Sequence, residues 1–299
     1  MDMITSVRSV AAACLCVSFV ACGDISGVDG SRPKVLLIGL DGVRVDVLAS
    51  VHTPNIDSLM AQGTFSDRAQ TRPPTVSGHG WSNMLTGVWA NKHRVTSNDL
   101  TGNDYARYRD FFTRLEQVDP TFNTLAILGR SSFGWTTLLG DAIDATPTFD
   151  SDAASVSWAT VALEYLDLDA VFVWLSAIDG VGHKTSSLDP EYRRAIEIAD
   201  VQVGALVAAL TRRLAFGLED WLILISTDHG RTDDGGHGGE SEQERTIFYL
   251  ASGPSTIRGT PDTPPNIVDV AVTALSHMGV VIRSEWQLDG RIVGLGQQR

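Results

Sequence analysis

Apolar and polar positions follow two alternating patterns along this chain. The first is a set of short unbroken apolar runs: "KVLLIGL" (34–40), "TLAILG" (124–129), "AVFVWLSAI" (170–178), "WLILIST" (221–227) and "TIFYLA" (246–251). Runs of this length with no polar face predict strands covered on both sides in a parallel sheet. The second is helical periodicity in the stretches between them. "TPNIDSLMAQG" (53–63) predicts a short helix with Pro54 in its first turn and Gly63 closing it. "GWSNMLTG" (80–87), "DYARYRDFFTRLEQV" (104–118), "DAASVSWATVALEYL" (152–166) and "NIVDVAVTALSHMG" (266–279) predict four more. The longest, 189–214, is begun by Asp189-Pro190 as cap and first turn. Strands alternating with helices predict an α/β fold, a mostly parallel central sheet with helices on both faces.

Sites on such sheets form at the carboxyl ends of the strands. The first run ends in Asp41, "AVFVWLSAI" leads into Asp179 with His183 four residues on, and "WLILIST" leads into Asp228-His229, followed by His237 in the loop "GGHGG". A single aspartate at a strand end is an ordinary cap or turn former. Three at one edge, with three histidines nearby, point to metal ligation. Carboxylate and imidazole together suit zinc or manganese better than calcium, which takes oxygen ligands alone. The glycines around His237 allow the backbone to bend so that the imidazole reaches back to the site. Asp233 and Asp234 read as solvating residues of that loop.

Composition changes the picture at two points. The chain has 299 residues, a formal net charge of -13 and a pI of about 4.8, which argues against nonspecific nucleic-acid binding. An anionic substrate then needs local positive charge, which a bound metal supplies. The N-terminus differs in kind from the rest. Arg8 precedes "SVAAACLCVSFVA", too short to span a bilayer and of the length of a signal-peptide core. "FVAC" ending at Cys22 reads as a lipoprotein cleavage box, so residues 1–21 are expected to be a signal peptide, with a plain signal peptide as the alternative. Cys14, Cys16 and Cys22 all fall in this segment, so the mature chain has no disulfide. Residues 22–33 read as a tether and 34–299 as the catalytic domain, exported to the periplasm or cell envelope and lipid-anchored at Cys22.

The ordered set "LIGLDG", "TPNIDSL", "PTVSGHGWSNMLTG", "DGVGH", "TDHG" and "GGHGG" resembles the alkaline phosphatase superfamily, above all its type I phosphodiesterase/nucleotide pyrophosphatase branch and the related phosphoethanolamine-transferase-type domains. The likeness runs over roughly 34–280 and implies a three-layer sandwich with two metals bridged by the reacting phosphate. It assigns Asp179, His183 and His237 to one metal, and Asp41, Asp228, His229 and the nucleophile to the other. Three carboxylates and an alkoxide then nearly balance two dications.

The resemblance also implies a hydroxyl nucleophile at a helix start, nine residues before a Thr-Gly or Ala-Gly pair. Thr86-Gly87 selects Ser77 by that spacing, whereas superimposing "PT" on the phosphodiesterase threonine motif selects Thr75. A helix start suits an alkoxide and a phosphate. Where relatives carry proline and then a phosphate-binding asparagine, this chain has His79 and Gly80, so a backbone N–H, Asn98 or another group must hold the phosphate oxygen, and His79 itself stands close enough to Ser77 to touch substrate. The sulfatase signature is absent, with His79 and Trp81 at its Pro and Arg positions. His93 is expected to anchor a loop, and His52 and His277 to be surface or core residues. Trp81, Tyr105, Phe133 and Trp135 could supply an apolar substrate wall, but core packing is the preferred reading for each.

These readings predict an exported two-metal hydrolase acting on a small phosphorylated substrate, a phosphodiesterase first, working through a covalent phosphoserine. A phosphomonoesterase or phosphotransferase of the same superfamily is the alternative, and a catalytically dead binding lipoprotein the remote one.

Overall fold

The computed structural model describes residues 31–129 and 133–296. The expected signal peptide, Cys22 and nearly all of the tether lie outside them. Seven strands form one sheet: β1 (Arg32–Leu40), β2 (Thr64–Gln70), β3 (Thr124–Gly129), β4 (Thr148–Phe149), β5 (Ala170–Leu175), β6 (Glu219–Ser226) and β7 (Thr246–Ser252). Their order is β2-β7-β6-β1-β5-β3-β4. β1 pairs parallel with β5 and β6, and β3 parallel with β5 and β4. Only β7 is reversed, antiparallel to β6 and β2.

Burial on both faces explains the unbroken apolar runs. Along β1, Val35 and Leu37 enter one core, while Leu36, Ile38 and Leu40 enter the other, the period-two alternation of a strand. On the first face lie the helices Ser77–Thr86, Phe111–Val118 and Asp269–His277; on the second, Pro54–Gln62, Asp152–Tyr165 and Pro190–Thr211. This is the predicted sandwich, with the alkaline phosphatase-like architecture.

The differences from expectation are local. β2 and β4 carry mixed polar sequences at or near the sheet edges, "TFSDRAQ" and "TF", with no apolar run to mark them. The helix expected over 104–118 begins only at Phe111, because Asp110 caps it by accepting from the Thr113 N–H. β5 stops at Leu175, short of the expected run to Ile178, and Asp179 sits on the short helix Ala177–Gly182, so its carboxylate reaches the site from a helical turn. Among the described residues no helix is long and apolar enough to cross a membrane.

Candidate active site

The carboxyl ends of β1, β5 and β6, neighbours in the sheet, bring the predicted residues together. One group comprises Asp41, Asp228 and His229, and a second Asp179, His229 and His237, each with ligand atoms within 4.8 Å of one another. His183 joins the second, its Nε2 lying 3.2 Å from Asp179 Oδ2 and 3.1 Å from His237 Nε2. Ser77 is the first residue of its helix, with Oγ 3.4 Å from His229 Nε2.

Each of four donors has one atom fastened to protein and another left facing the centre. Asp41 Oδ2 accepts the indole N–H of Trp81 (3.2 Å) and of Trp174 (3.0 Å), while Oδ1 is buried with no partner. Asp228 Oδ1 accepts the Gly42 N–H (3.2 Å), while Oδ2 is likewise buried and unpartnered. His229 Nδ1 lies 3.0 Å from Gly230 O, and His237 Nδ1 lies 2.8 Å from Thr75 O. A carbonyl only accepts, so both Nδ1 atoms carry the proton and both Nε2 lone pairs face the site. The two rings stack at 3.9 Å. Unpartnered buried carboxylate oxygens are costly unless a cation meets them, and outer hydrogen bonds that fix ligand orientation are usual around metals. The residues present therefore fit divalent cations.

Electrostatics agree. Burial, reinforced by Asp228 and Asp179, raises the Asp41 carboxyl well above the usual range. Burial, with Asp179, pushes Asp228 up to about 7. Burial lowers His229 to about 4, and burial with neighbouring His229 lowers His237 to about 4. The protein alone thus pushes against the charged state of Asp41 and Asp228, and a dication reverses that.

The two candidate nucleophiles separate clearly. Thr75 is 1% exposed; its Oγ donates to Gly239 O (2.9 Å) and accepts the Gly238 N–H (3.0 Å), fastening the His237 loop. Ser77 is half-buried and its hydroxyl meets the centre. Asn98 Oδ1 accepts the Gly78 N–H at 2.8 Å. Gly80 borders protein: a Cβ there would lie 2.7 Å from both Cβ and the carbonyl oxygen of Asp228. His79 is buried, contacts Asn83 at 3.3 Å, and burial lowers it to about 4. His93 accepts the Val95 N–H (3.1 Å) and meets Asn83 Oδ1 at 2.8 Å, anchoring the following loop. His277 is buried against Asp220 O, and His52 is exposed. Trp81, Tyr105 and Trp135 belong to the core, with Phe133 packed on it. Asp233 pairs with Arg44, and Asp234 accepts from Thr232.

Sequence reasoning missed the supports. Trp81 and Trp174 orient Asp41, and Trp81 lies over Gly39, where a Cβ would meet its ring at 2.5 Å. Arg231 donates to Asp179 Oδ1 and to Asp179 O. Glu244 accepts the N–H of Gly239 (2.7 Å) and of Ser241 (3.0 Å), holding the same loop. The indole pair had no sequence signal, whereas the arginine inside "DHGRTDDGG" was visible as a lone cation among the donors.

Fold and site together define an α/β protein whose clustered carboxylates and imidazoles fit divalent cations beside a serine hydroxyl. Residues 35–234 match the type I phosphodiesterase / nucleotide pyrophosphatase family, and the chain belongs to it. It is 25% identical over 228 residues to a bis(5'-adenosyl)-triphosphatase of Bos taurus, covering 68% of this chain and 48% of that protein. It is 29% identical over 102 residues to the catalytic subunit of the Homo sapiens GPI ethanolamine phosphate transferase 3, covering 34% of this chain and 8% of that protein. The chain thus spans less than half the length of these curated relatives. Among solved structures, murine ectonucleotide pyrophosphatase / phosphodiesterase 5 superimposes with TM-score 0.65 at 14% identity, covering 83% of this chain and 95% of that one. A 2-O GAG sulfatase superimposes with TM-score 0.67 at 13% identity, covering 88% and 73%. At such identities these two show a shared fold.

Proposed function

We propose that the protein is an exported hydrolase of small phosphate diesters that holds two divalent cations and works through a phosphoserine. The observation that carries this is the convergence of the unpartnered carboxylate oxygens of Asp41 and Asp228 with the inward-facing Nε2 atoms of His229 and His237 beside one serine hydroxyl. Asp41, Asp228, His229 and Ser77 would hold one cation, and Asp179, His183 and His237 the other. Bound there, zinc or manganese would lower the serine pKa and stabilise charge on the phosphate and leaving oxygens.

The chain's own groups do the rest. Ser77 Oγ attacks phosphorus in line and expels the alcohol or phosphate opposite it; water then enters from the face that group vacated and expels the Ser77 oxygen, so two inversions retain configuration overall. Asn98 Oδ1 accepts the N–H of Gly78, the residue after Ser77, and its amide N–H₂ would donate to a phosphate oxygen, in the role expected of Gly80 or Asn98. A nucleotide-like substrate is favoured by the bovine triphosphatase and by an inactive variant of the murine phosphodiesterase 5 solved in complex with AMP. Sulfatase chemistry is disfavoured because Trp81, at the arginine position of that signature, is fully buried on Asp41.

Ser77→Ala is expected to lower turnover of a nitrophenyl phosphodiester about a thousandfold or more while metal content stays near two per chain. Thr75→Val is expected to stay within about tenfold of the parent, with lower stability. The reverse ranking moves the nucleophile to Thr75, and full activity in both removes the mechanism. The match to the human transferase favours a second reading, transfer to an acceptor alcohol. Product analysis decides it: a phosphoester of added ethanol or glycerol forming faster than the hydrolysis product supports transfer. We place the enzyme at the cell envelope through lipid on Cys22; an N-terminal peptide of unmodified mass in the membrane fraction contradicts that.

A further inference from the structure

Arg231 is fully buried and cannot swing away. Its Nε donates to Gly42 O (3.2 Å), its Nη1 to Gly235 O, and its Nη2 to both Asp179 O (3.1 Å) and Asp179 Oδ1. Glycines make room for it. A Cβ on Gly182 would lie 2.5 Å from the guanidinium carbon, and one on Gly42 would lie 3.1 Å from Nε and 2.9 Å from Asp179 Oδ1. Three main-chain carbonyls would keep the cation in place with or without Asp179.

The two cation positions are therefore unlike. Asp41 and Asp228 face the first, and both accept only from neutral N–H groups. At the second, Asp179 is the only carboxylate, and it is already paired with a permanent cation, since a guanidinium does not lose its proton. Two imidazoles complete that set and add no charge when neutral. With its carboxylates deprotonated, as a bound cation requires, the first position presents -2 before the serine contributes, whereas at the second the guanidinium cancels the Asp179 charge. A like charge held a few ångströms from a dication in a protein interior opposes its binding strongly.

We propose that Arg231 makes the second position, Asp179–His183–His237, a weak and exchangeable one, while the Asp41–Asp228–His229 position fills first and keeps its ion. Arg231 acts through Asp179 and is a positioning residue that sets how strongly this carboxylate holds a cation. Activity then follows the free metal concentration through the second ion alone, and the singly loaded protein is a resting form. The inference rests on the two-cation reading.

The test is calorimetric titration of the chelator-stripped full chain with Zn²⁺, backed by competition with a chromophoric chelator. Two binding steps at least tenfold apart are expected. Asp179→Asn is expected to remove only the weaker step. Arg231→Gln, which keeps donors but no charge, is expected to tighten the weaker step tenfold or more and leave the tighter one unchanged, whereas Arg231→Lys is expected to keep the separation. Two equal steps in the parent overturn the proposal without any variant, and so does a weaker second step in Arg231→Gln, which would make the arginine a plain support for Asp179. No zinc binding at all sinks the two-cation reading itself, so the failures are distinguishable. Should Arg231→Gln not fold, the parent titration and Asp179→Asn decide.

Discussion

Gly80 shows how much a single missing side chain does here. The helix begun by Ser77 can lie against the end of β6 only because position 80 has no Cβ; the nearest atoms of Asp228 would be 2.7 Å from one. Gly80→Ala is expected to destabilise the protein by about 1–3 kcal/mol through overpacking and to weaken cation binding, since Asp228 must shift; a urea midpoint equal to the parent's contradicts this. At this scale the sequence was informative about types and poor about directions. Asp41, Asp179, Asp228 and the histidines stood out because three carboxylates with imidazoles nearby, all at the ends of apolar runs, exceed what caps and turns require. Gly80 could be read equally as a backbone donor to phosphate, because a glycine in a sequence does not say what approaches it. Trp81 and Trp174 looked like core aromatics, and they are; that their N–H groups also fix Asp41 depends on ring orientation, which periodicity does not encode.

Among the elements, the loop carrying His237 is held to the rest of the fold largely by side chains. Ser241 and Glu244 form a capping box at the helix Glu242–Arg245, and the Glu244 carboxylate also holds Gly239 and lies 3.4 Å from Thr75 Oγ. Glu244→Gln places an amide N–H₂ among N–H and O–H donors, and the expected cost is about 1–3 kcal/mol. Zinc binding at the Asp179–His183–His237 position is expected to weaken with it, read as a selective loss of one step in a metal titration. The buried strands and long helices were legible because each shows a clean period. β2 and β4 were not, since at or near the sheet margin a strand needs no apolar run. The helix at 111–118 was overextended because residues before Asp110 share its polarity pattern while lacking its cap.

For the whole molecule, the buried charges set the response to pH. Asp228, raised to about 7, keeps its proton in the fold long after it would be lost in the unfolded chain, so its contribution is fully present below about pH 4 and disappears as pH rises through 7. His229 and His237, lowered to about 4, act oppositely, contributing stability that is present at neutral pH and lost as pH falls through 6.5 towards 4. A dication binds the deprotonated set and releases the protons. The rise in Tm on adding zinc is therefore expected to grow between pH 5 and 8, and a rise already complete at pH 5 contradicts the assignment of Asp228.

The reversal of β7 has a consequence for how such a centre can change. Because β6 and β7 run in opposite directions, residues 227–245 leave and rejoin the sheet at one rim, with no need to cross to the far side. His229, Arg231, His237 and Glu244 thus share a single excursion whose length the strand pairing does not fix. Insertions or deletions there would retune the ion pocket while the layers beneath keep their register.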